Sequence, residues 1–279
     1  IPVTGSAGRS APVLAEHAIY FMLMSCYHTR EMLKAQAECR WGVDGMNKWY
    51  GLYGRTAGII GMGHNGKALA DRLHALGMNI IAYSNSPLEG YDYITRKLSA
   101  KNGDTIQPLL EQSDFILLNV PLNDSTYHMI NKESLAMCKT GAFLVNMARG
   151  GIVCTEDLID ALNSGKLSGA GLDVFEEQPL SPDSPLWNME NVYITPHSTP
   201  QVPNRAARSI EIIRENARRF EAGEPFLNLM KPSDAMSGEK AEGGWSKLMN
   251  SKIPKEQIKI EMLEKVLGKR GWTDPSEWM

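Results

Sequence analysis

The stretch GIIGMGHNG, Gly58 to Gly66, places Gly61, Gly63 and Gly66 in a G-x-G-x-x-G pattern. The pattern alone is weak, because glycine-rich turns that bind nothing satisfy it too. Its surroundings strengthen it. The apolar run TAGIIGM (56–62) predicts a strand before it, and KALADRLHALG (67–77) predicts a helix after it that Gly77 ends. In that setting the first glycine permits a tight turn and the second lets a pyrophosphate approach the backbone. The third lets helix and strand pack closely. The helix N-terminus adds free N–H groups and partial positive charge.

Further runs of the same texture extend outward from this unit. MNIIAYS (78–84), DFILLNV (114–120), GAFLVNM (141–147), SGAGLDV (168–174) and NVYIT (191–195) predict five more strands. Helices are expected between them at 65–76, 104–112, 131–138 and 155–165, with a long one at 201–222. Short apolar strands separated by helices predict an α/β fold with a doubly wound parallel sheet. Upstream, helical periodicity runs from 13 to 40, with Leu14, Ala18, Phe21, Met22 and Cys26 on one face and Pro12 in the first turn. WGVDGMNKWYGLYGRT (41–56) reads as a loop. After Lys231, KPSDAMSGEKAEGG reads as a linker, and PKEQIKIEMLEKVLG (254–268) predicts a helix with apolar face Ile258, Met262 and Val266. Trp245, Trp272 and Trp278 are expected to cover the protein's own core.

The 279 residues, 43% of them hydrophobic, suffice for one large domain or two modest ones. The longest apolar window, Ala15 to Met24, is cut by Glu16 and His17, so no membrane span is expected. A net charge of −3 without a basic block argues against nucleic acid. Cys26, Cys39, Cys138 and Cys154 are scattered without a CxxC, which suits reduced thiols in the cytoplasm and no metal site. No signal peptide is expected from these residues. The opening IPVTGSAGRSAP, without an initiator Met, reads as the continuation of something upstream.

Three further places carry chemistry. The end of the second strand should read the ribose, and it reads Ser84, Asn85 and Ser86, with neither the acid that suits NAD nor an adjacent base. Arg96 and Lys97 are the nearest basic residues, and the cofactor reading, NAD or NADP, leans slightly to NADP. VNMARGGIV (145–153) puts Arg149 at a strand's carboxyl end, where a guanidinium could hold a carboxylate with two hydrogen bonds or merely pair with a local acid. GLDVFEEQP (171–179) and ITPHSTP (194–200) add an acidic strand end and His197.

With AEHA (15–18), GMGHNG (61–66), NVPL (119–122), HMIN (128–131), NMARGG (146–151), GLDVFEEQP and TPH (195–197), the run from Ala15 to Leu229 resembles the D-2-hydroxyacid dehydrogenase family. The resemblance implies a hydride transfer between a nicotinamide coenzyme and a small 2-hydroxy or 2-keto acid. It implies that Arg149 clamps the substrate, that His197 is the acid/base and that Asp173 lies near the nicotinamide. It also implies that Asn119, Val120, Pro121, Met147, Ala148 and Arg149 line the cofactor with Gly61, Gly63, Gly66 and Ser84, Asn85. His64 lies inside the phosphate loop and could touch the cofactor. Ser84 departs from the usual Asp, and Asn65 from the usual apolar residue. The division it implies is a substrate-domain remnant at 1–14, a coenzyme domain at 15–198, a returning helix at 199–230 and a tail at 231–279. The arm at 15–53 implies a homodimer. The family carries about a hundred more N-terminal residues, whose backbone amides help hold the substrate carboxylate.

Gln178 stands where the family has its catalytic Glu. A carboxylate there favours the protonated histidine, and keto-acid reduction needs that proton. An amide supplies no such charge, so reduction is expected to fade above about pH 6.5, the ordinary range of an imidazole. Glu177, one residue away, could substitute. Two other readings stay open. Formate dehydrogenases of this superfamily pair an amide with histidine, since formate oxidation moves no proton. A non-enzymatic NAD(P)-binding sensor would also tolerate a lost Glu. His17, His28, His74 and His128 read as structural.

Overall fold

The computed structural model describes residues 2–231 and Asp234, and the expected 254–268 helix and Trp245, Trp272 and Trp278 lie outside the described residues. Its centre is a seven-stranded parallel sheet. The strands are β1 (Thr56–Ile60), β2 (Asn79–Ser84), β3 (Arg96–Ser99), β4 (Phe115–Leu118), β5 (Ala142–Asn146), β6 (Leu167–Leu172) and β7 (Val192–Ile194), in the order β3-β2-β1-β4-β5-β6-β7. The chain leaves β1 for β2 on one side and returns to β4 on the other. The carboxyl ends of β1 and β4 thus form the switch point where such sheets bind ligands.

Side-chain alternation along the strands feeds two cores. On one face Ile60, Ile81 and Leu144 pack with Leu109 of α4 (Gln107–Gln112), Leu135 of α5 (Lys132–Met137) and Leu158 and Leu162 of α6 (Thr155–Asn163). On the other, Ile59, Phe115, Phe143 and Val145 pack with Phe21 and Met22 of α1 (Ala11–Cys26) and Leu69 and Leu73 of α3 (His64–Ala75). Phe21 is fully buried, and burying a side chain of that size contributes roughly 2 to 3 kcal/mol. It presses so closely on β6 that a Cβ at Gly171 would lie 2.5 Å from its Cγ.

Two expectations are corrected. The helix expected over 13–40 is two, α1 and α2 (Thr29–Ala37), and Leu14 is only half-buried while Ala15 and His17 are buried. The break falls at His28, whose φ of +43° ends helical propagation and whose ring stacks on Trp49 at 4.4 Å. The strand β3 was not expected. Its RKLS sequence buries only Leu98 and Ser99 and exposes Arg96 and Lys97, as a charged edge strand does. Among the described residues no helix is long and apolar enough to cross a membrane, and Cys26, Cys39, Cys138 and Cys154 are free thiols.

Asp114 ties the amino ends of β1 and β4. It accepts from the Thr56 N–H at 2.8 Å and from Lys139 Nζ at 2.7 Å, with Arg55 Nε 3.9 Å away. Burial pushes its carboxyl up, but the bonds from Lys139 and Thr56 outweigh this and hold it below its usual value. A depressed carboxyl contributes stability above its unfolded value of about 3.9 and loses it as pH falls through the folded one. Asp114→Ala is therefore expected to cost about 1 to 3 kcal/mol at pH 7 in urea unfolding, and the deficit to shrink as pH approaches 3. A deficit that stayed constant over that range would show that the charge contributes nothing.

Candidate active site

The turn after β1 is built for close approach. Gly61 has φ +102°, and a Cβ on it would lie 2.6 Å from the Asn119 carbonyl oxygen. At Gly66 a Cβ would fall inside the van der Waals envelope of the Gly61 carbonyl oxygen and 3.0 Å from its carbon. Gly63, by contrast, has nothing among the described residues beyond its chain neighbours within 4 Å of the added position. It is the N-cap of α3 and offers no side-chain cap, which leaves the first N–H groups of that helix without a capping side chain. An anionic group with two phosphates fits this cradle. His64 is the first residue of α3, exposed, with its ring against Gly8, and Asn65 follows half-buried.

At the end of β2 the Ser84 hydroxyl donates to the Ser86 carbonyl, and the Asn85 carbonyl accepts from the Lys101 N–H at 3.1 Å and from Ser99 Oγ at 3.3 Å. Arg96 and Lys97 do not fold back to this point. They pair with Ile81 and Ala82, toward the other end of the sheet. The Lys97 ammonium donates to the Gly90 carbonyl and lies 3.9 Å from Asp92. The backbone of Lys101, through its N–H, is what reaches this strand end.

The other expected residues also collect at carboxyl strand ends: Asn119, Val120 and Pro121 after β4, Met147, Ala148 and Arg149 after β5, Asp173 after β6 and His197 after β7. Buried Asn146, not singled out from sequence, shapes the turn into Arg149. Its Oδ1 accepts from the Ala148 N–H at 3.1 Å, its Nδ2 donates to the Arg149 carbonyl at 3.0 Å, and its own carbonyl accepts from the Asp173 N–H at 3.1 Å. Arg149 is exposed, and Nη1 donates to the Ala148 carbonyl at 2.6 Å. Among the described residues it forms no ion pair, so the local acid that would make it merely structural is not there. The glycine after it touches the next segment: a Cβ at Gly150 would overlap the backbone of Phe175 and Glu176.

That segment leads to Gln178, whose Oε1 lies 2.9 Å from His197 Nδ1. The amide nitrogen donates to the Phe175 carbonyl at 3.3 Å, so the oxygen faces the histidine and Nδ1–H donates to it. Among the described residues no bond joins Glu177 to His197. Glu176 instead meets His128 Nε2 at 2.5 Å and accepts from the Thr155 N–H at 2.7 Å. Burial raises the Glu176 carboxyl, but the bonds from Thr155 and His128 outweigh this and leave it below its usual value. His128 is thus a structural tie to Glu176, two residues before Gln178. His197 itself has φ +52°, an unusual conformation for a non-glycine residue, with its N–H bonded to the Thr195 carbonyl at 3.0 Å. Asp173 is buried and accepts from Thr195 Oγ1 at 2.5 Å and from the Ser198 N–H at 2.9 Å.

A cavity of about 770 Å³ beside Cys26, Trp49, Arg55, Asp114 and Tyr193 lies at the amino ends of the strands, away from all of these groups.

Residues 19–199 match the sequence model of the D-isomer specific 2-hydroxyacid dehydrogenase NAD binding domain. The glyoxylate reductase of Korarchaeum cryptofilum (strain OPF8) is 37% identical over 233 residues, which cover 82% of this chain and 69% of that protein. The hydroxypyruvate reductase of Thermotoga maritima is 38% identical over 226 residues, 77% of this chain and 69% of that protein. Among solved structures, the D-isomer specific 2-hydroxyacid dehydrogenase of Xanthobacter autotrophicus Py2, in complex with NADPH and MES, superposes with a TM-score of 0.72 at 32% identity and covers 83% of this chain and 93% of that one. On these matches and on the dinucleotide turn beneath them, the chain belongs to the D-isomer specific 2-hydroxyacid dehydrogenase family, oxidoreductases that pass a hydride between NAD(P)H and a small 2-keto or 2-hydroxy acid.

Proposed function

We propose that this protein reduces glyoxylate, hydroxypyruvate or a 2-keto acid of similar size, with NADPH favoured over NADH. The observation that carries this reading is the contact between His197 Nδ1 and Gln178 Oε1. With Nδ1–H committed to the amide oxygen, Nε2 is the ring atom left for the substrate. When protonated it donates to the carbonyl oxygen as that oxygen gains charge. The Arg149 guanidinium, which bonds the Ala148 carbonyl and forms no ion pair among the described residues, has further N–H groups with which to hold the substrate carboxylate. The nicotinamide, when bound, supplies the hydride. A formate dehydrogenase would want the amide nitrogen toward the histidine, and here that nitrogen is engaged by Phe175.

The lean to NADPH rests on Ser84, Asn85 and Ser86, which place no carboxylate against a 2′-phosphate. The exposed face of α2 and the following loop forms a groove of about 640 Å³ lined by Tyr27, Met32, Leu33, Trp41 and Met46. Trp41 is fully exposed, and an apolar groove of this kind within the 15–53 arm suits a second copy of the chain.

The test is oxidation of NADH and NADPH at pH 6 and pH 8 with glyoxylate, hydroxypyruvate, pyruvate and bulkier keto acids, with formate plus the oxidised coenzymes run separately. Faster keto-acid turnover at pH 6 is the expected result. Turnover of formate alone would favour the other chemistry, and coenzyme binding without any turnover would favour a sensor. Gln178→Glu is expected to move the alkaline limb of the pH–rate profile up by about one to two units, because a carboxylate at this distance favours the imidazolium. An identical profile in parent and variant would remove the amide from the explanation.

A further inference from the structure

His17 lies on α1, 6% exposed, stacked on Phe21 at 4.7 Å. Its Nε2 is 3.2 Å from Thr195 Oγ1 and its Nδ1 is 3.0 Å from Thr199 Oγ1. These threonines stand two residues before and two after His197. We propose that His17 is a positioning residue for the catalytic loop: an imidazole protonated on Nε2 alone, it clamps both flanks of His197 and fixes where that ring points. The inference rests on the role given to His197 above.

Counting protons assigns the Thr195 side of the clamp, and the neutral ring assigns the Thr199 side. Thr195 has one hydroxyl proton and gives it to Asp173 Oδ1 at 2.5 Å. Its oxygen can therefore only accept from the histidine, which puts a proton on Nε2. With Nδ1 bare, the Thr199 hydroxyl donates to it. The chain runs Thr199 O–H to His17 Nδ1, His17 Nε2–H to Thr195, Thr195 O–H to Asp173, and the Ser198 N–H closes on the same carboxylate oxygen at 2.9 Å. Burial supports the neutral ring: it pushes the imidazole below its usual value, against the opposing charge of Asp173. The clamp has something to resist. His197 is held at φ +52°, a left-handed backbone conformation that is unfavourable for a non-glycine residue. Three of its near neighbours, Thr195, Ser198 and Thr199, are tied down by His17 or Asp173. The clamp also joins α1, part of the arm, to the proton donor.

The tautomer is read first, by nitrogen-15 chemical shifts of the histidine rings in the protein without substrate. The expected result is a neutral Nε2–H ring for His17 at pH 7; an Nδ1–H ring or an imidazolium overturns the proposal. Two variants then separate positioning from packing. His17→Phe keeps the ring stack and removes both bonds, whereas His17→Gln keeps one donor and one acceptor. The phenylalanine variant should lower kcat for keto-acid reduction by up to about a hundredfold, the scale of a small misplacement of a reacting group. Its coenzyme KM should change less than about twofold, and glutamine should restore much of the rate. Equal kcat in parent and His17→Phe overturns the proposal. If the parent turns over no keto acid, the functional reading fails, and the His197 ring shifts still decide the clamp. They should move in the phenylalanine variant and return in the glutamine variant, and shifts unmoved in both overturn it.

Discussion

Replacing Gly66 by alanine is expected to weaken NADPH and NADH binding about a hundredfold and to destabilise the protein by about 2 to 3 kcal/mol, the upper range for forced overpacking. Propensity predicts the opposite. Gly66 lies within α3, where alanine is favoured over glycine by about 1 kcal/mol. Packing wins, because the new Cβ would overlap the Gly61 carbonyl oxygen and stand 3.0 Å from its carbon, and neither is a flexible side-chain tip. The helix must move off the turn, and its N-terminal N–H groups move with it. Gly63→Ala makes the comparison sharp. Among the described residues nothing beyond its chain neighbours lies within 4 Å of its Cβ, so folding should be untouched. A pyrophosphate approaching that backbone would meet the methyl group, so binding alone should suffer. Thermal melts and fluorescence titration with NADPH separate the two cases. Normal binding by Gly66→Ala would show that α3 has slack, and normal binding by Gly63→Ala would move the phosphate site elsewhere.

Why some features were legible follows from what each depends on. The glycine loop could be read because its three positions answer to local backbone geometry. Five of the six expected strands could be read because an interior parallel strand is apolar on both faces, as FILL in β4 shows with all four residues buried, and the edge strand β7 could be read because its VYI is apolar as well. β3 could not, because an edge strand that exposes Arg96 and Lys97 has no such pattern. The break at His28 was hidden by apolar residues that kept helical spacing across it. Gln178 beside His197 came from resemblance, and nothing within either segment shows that strand ends nineteen residues apart in sequence converge. His17 read as a packed core histidine, which it is. That its two nitrogens flank the catalytic loop depends on contacts 178 and 182 residues away in sequence, beyond any local pattern.

His197→Asn is expected to lower kcat for glyoxylate reduction by about a thousandfold, within the range a positioned acid contributes, with coenzyme affinity unchanged. Asparagine is the informative replacement for two reasons. The residue must sit at φ +52°, a conformation asparagine adopts far more readily than most. Its Nδ2 can also take the place of Nδ1 and donate to Gln178 Oε1, the 2.9 Å contact of the parent. The loop and its amide partner are then preserved while the group at Nε2 is deleted, so the loss reports proton delivery rather than misfolding. The pH dependence should change with it. A rate that needs a protonated imidazole falls as pH rises through the titration of that ring, and the residual rate of the asparagine variant should be flat across the same range. Arg149→Lys gives the contrasting pattern: a single ammonium in place of a planar fork weakens substrate binding chiefly through KM. A loss of less than tenfold in kcat for His197→Asn, with the parent's pH profile intact, would mean that another group delivers the proton and that the contact between His197 and Gln178 is not the centre of the chemistry.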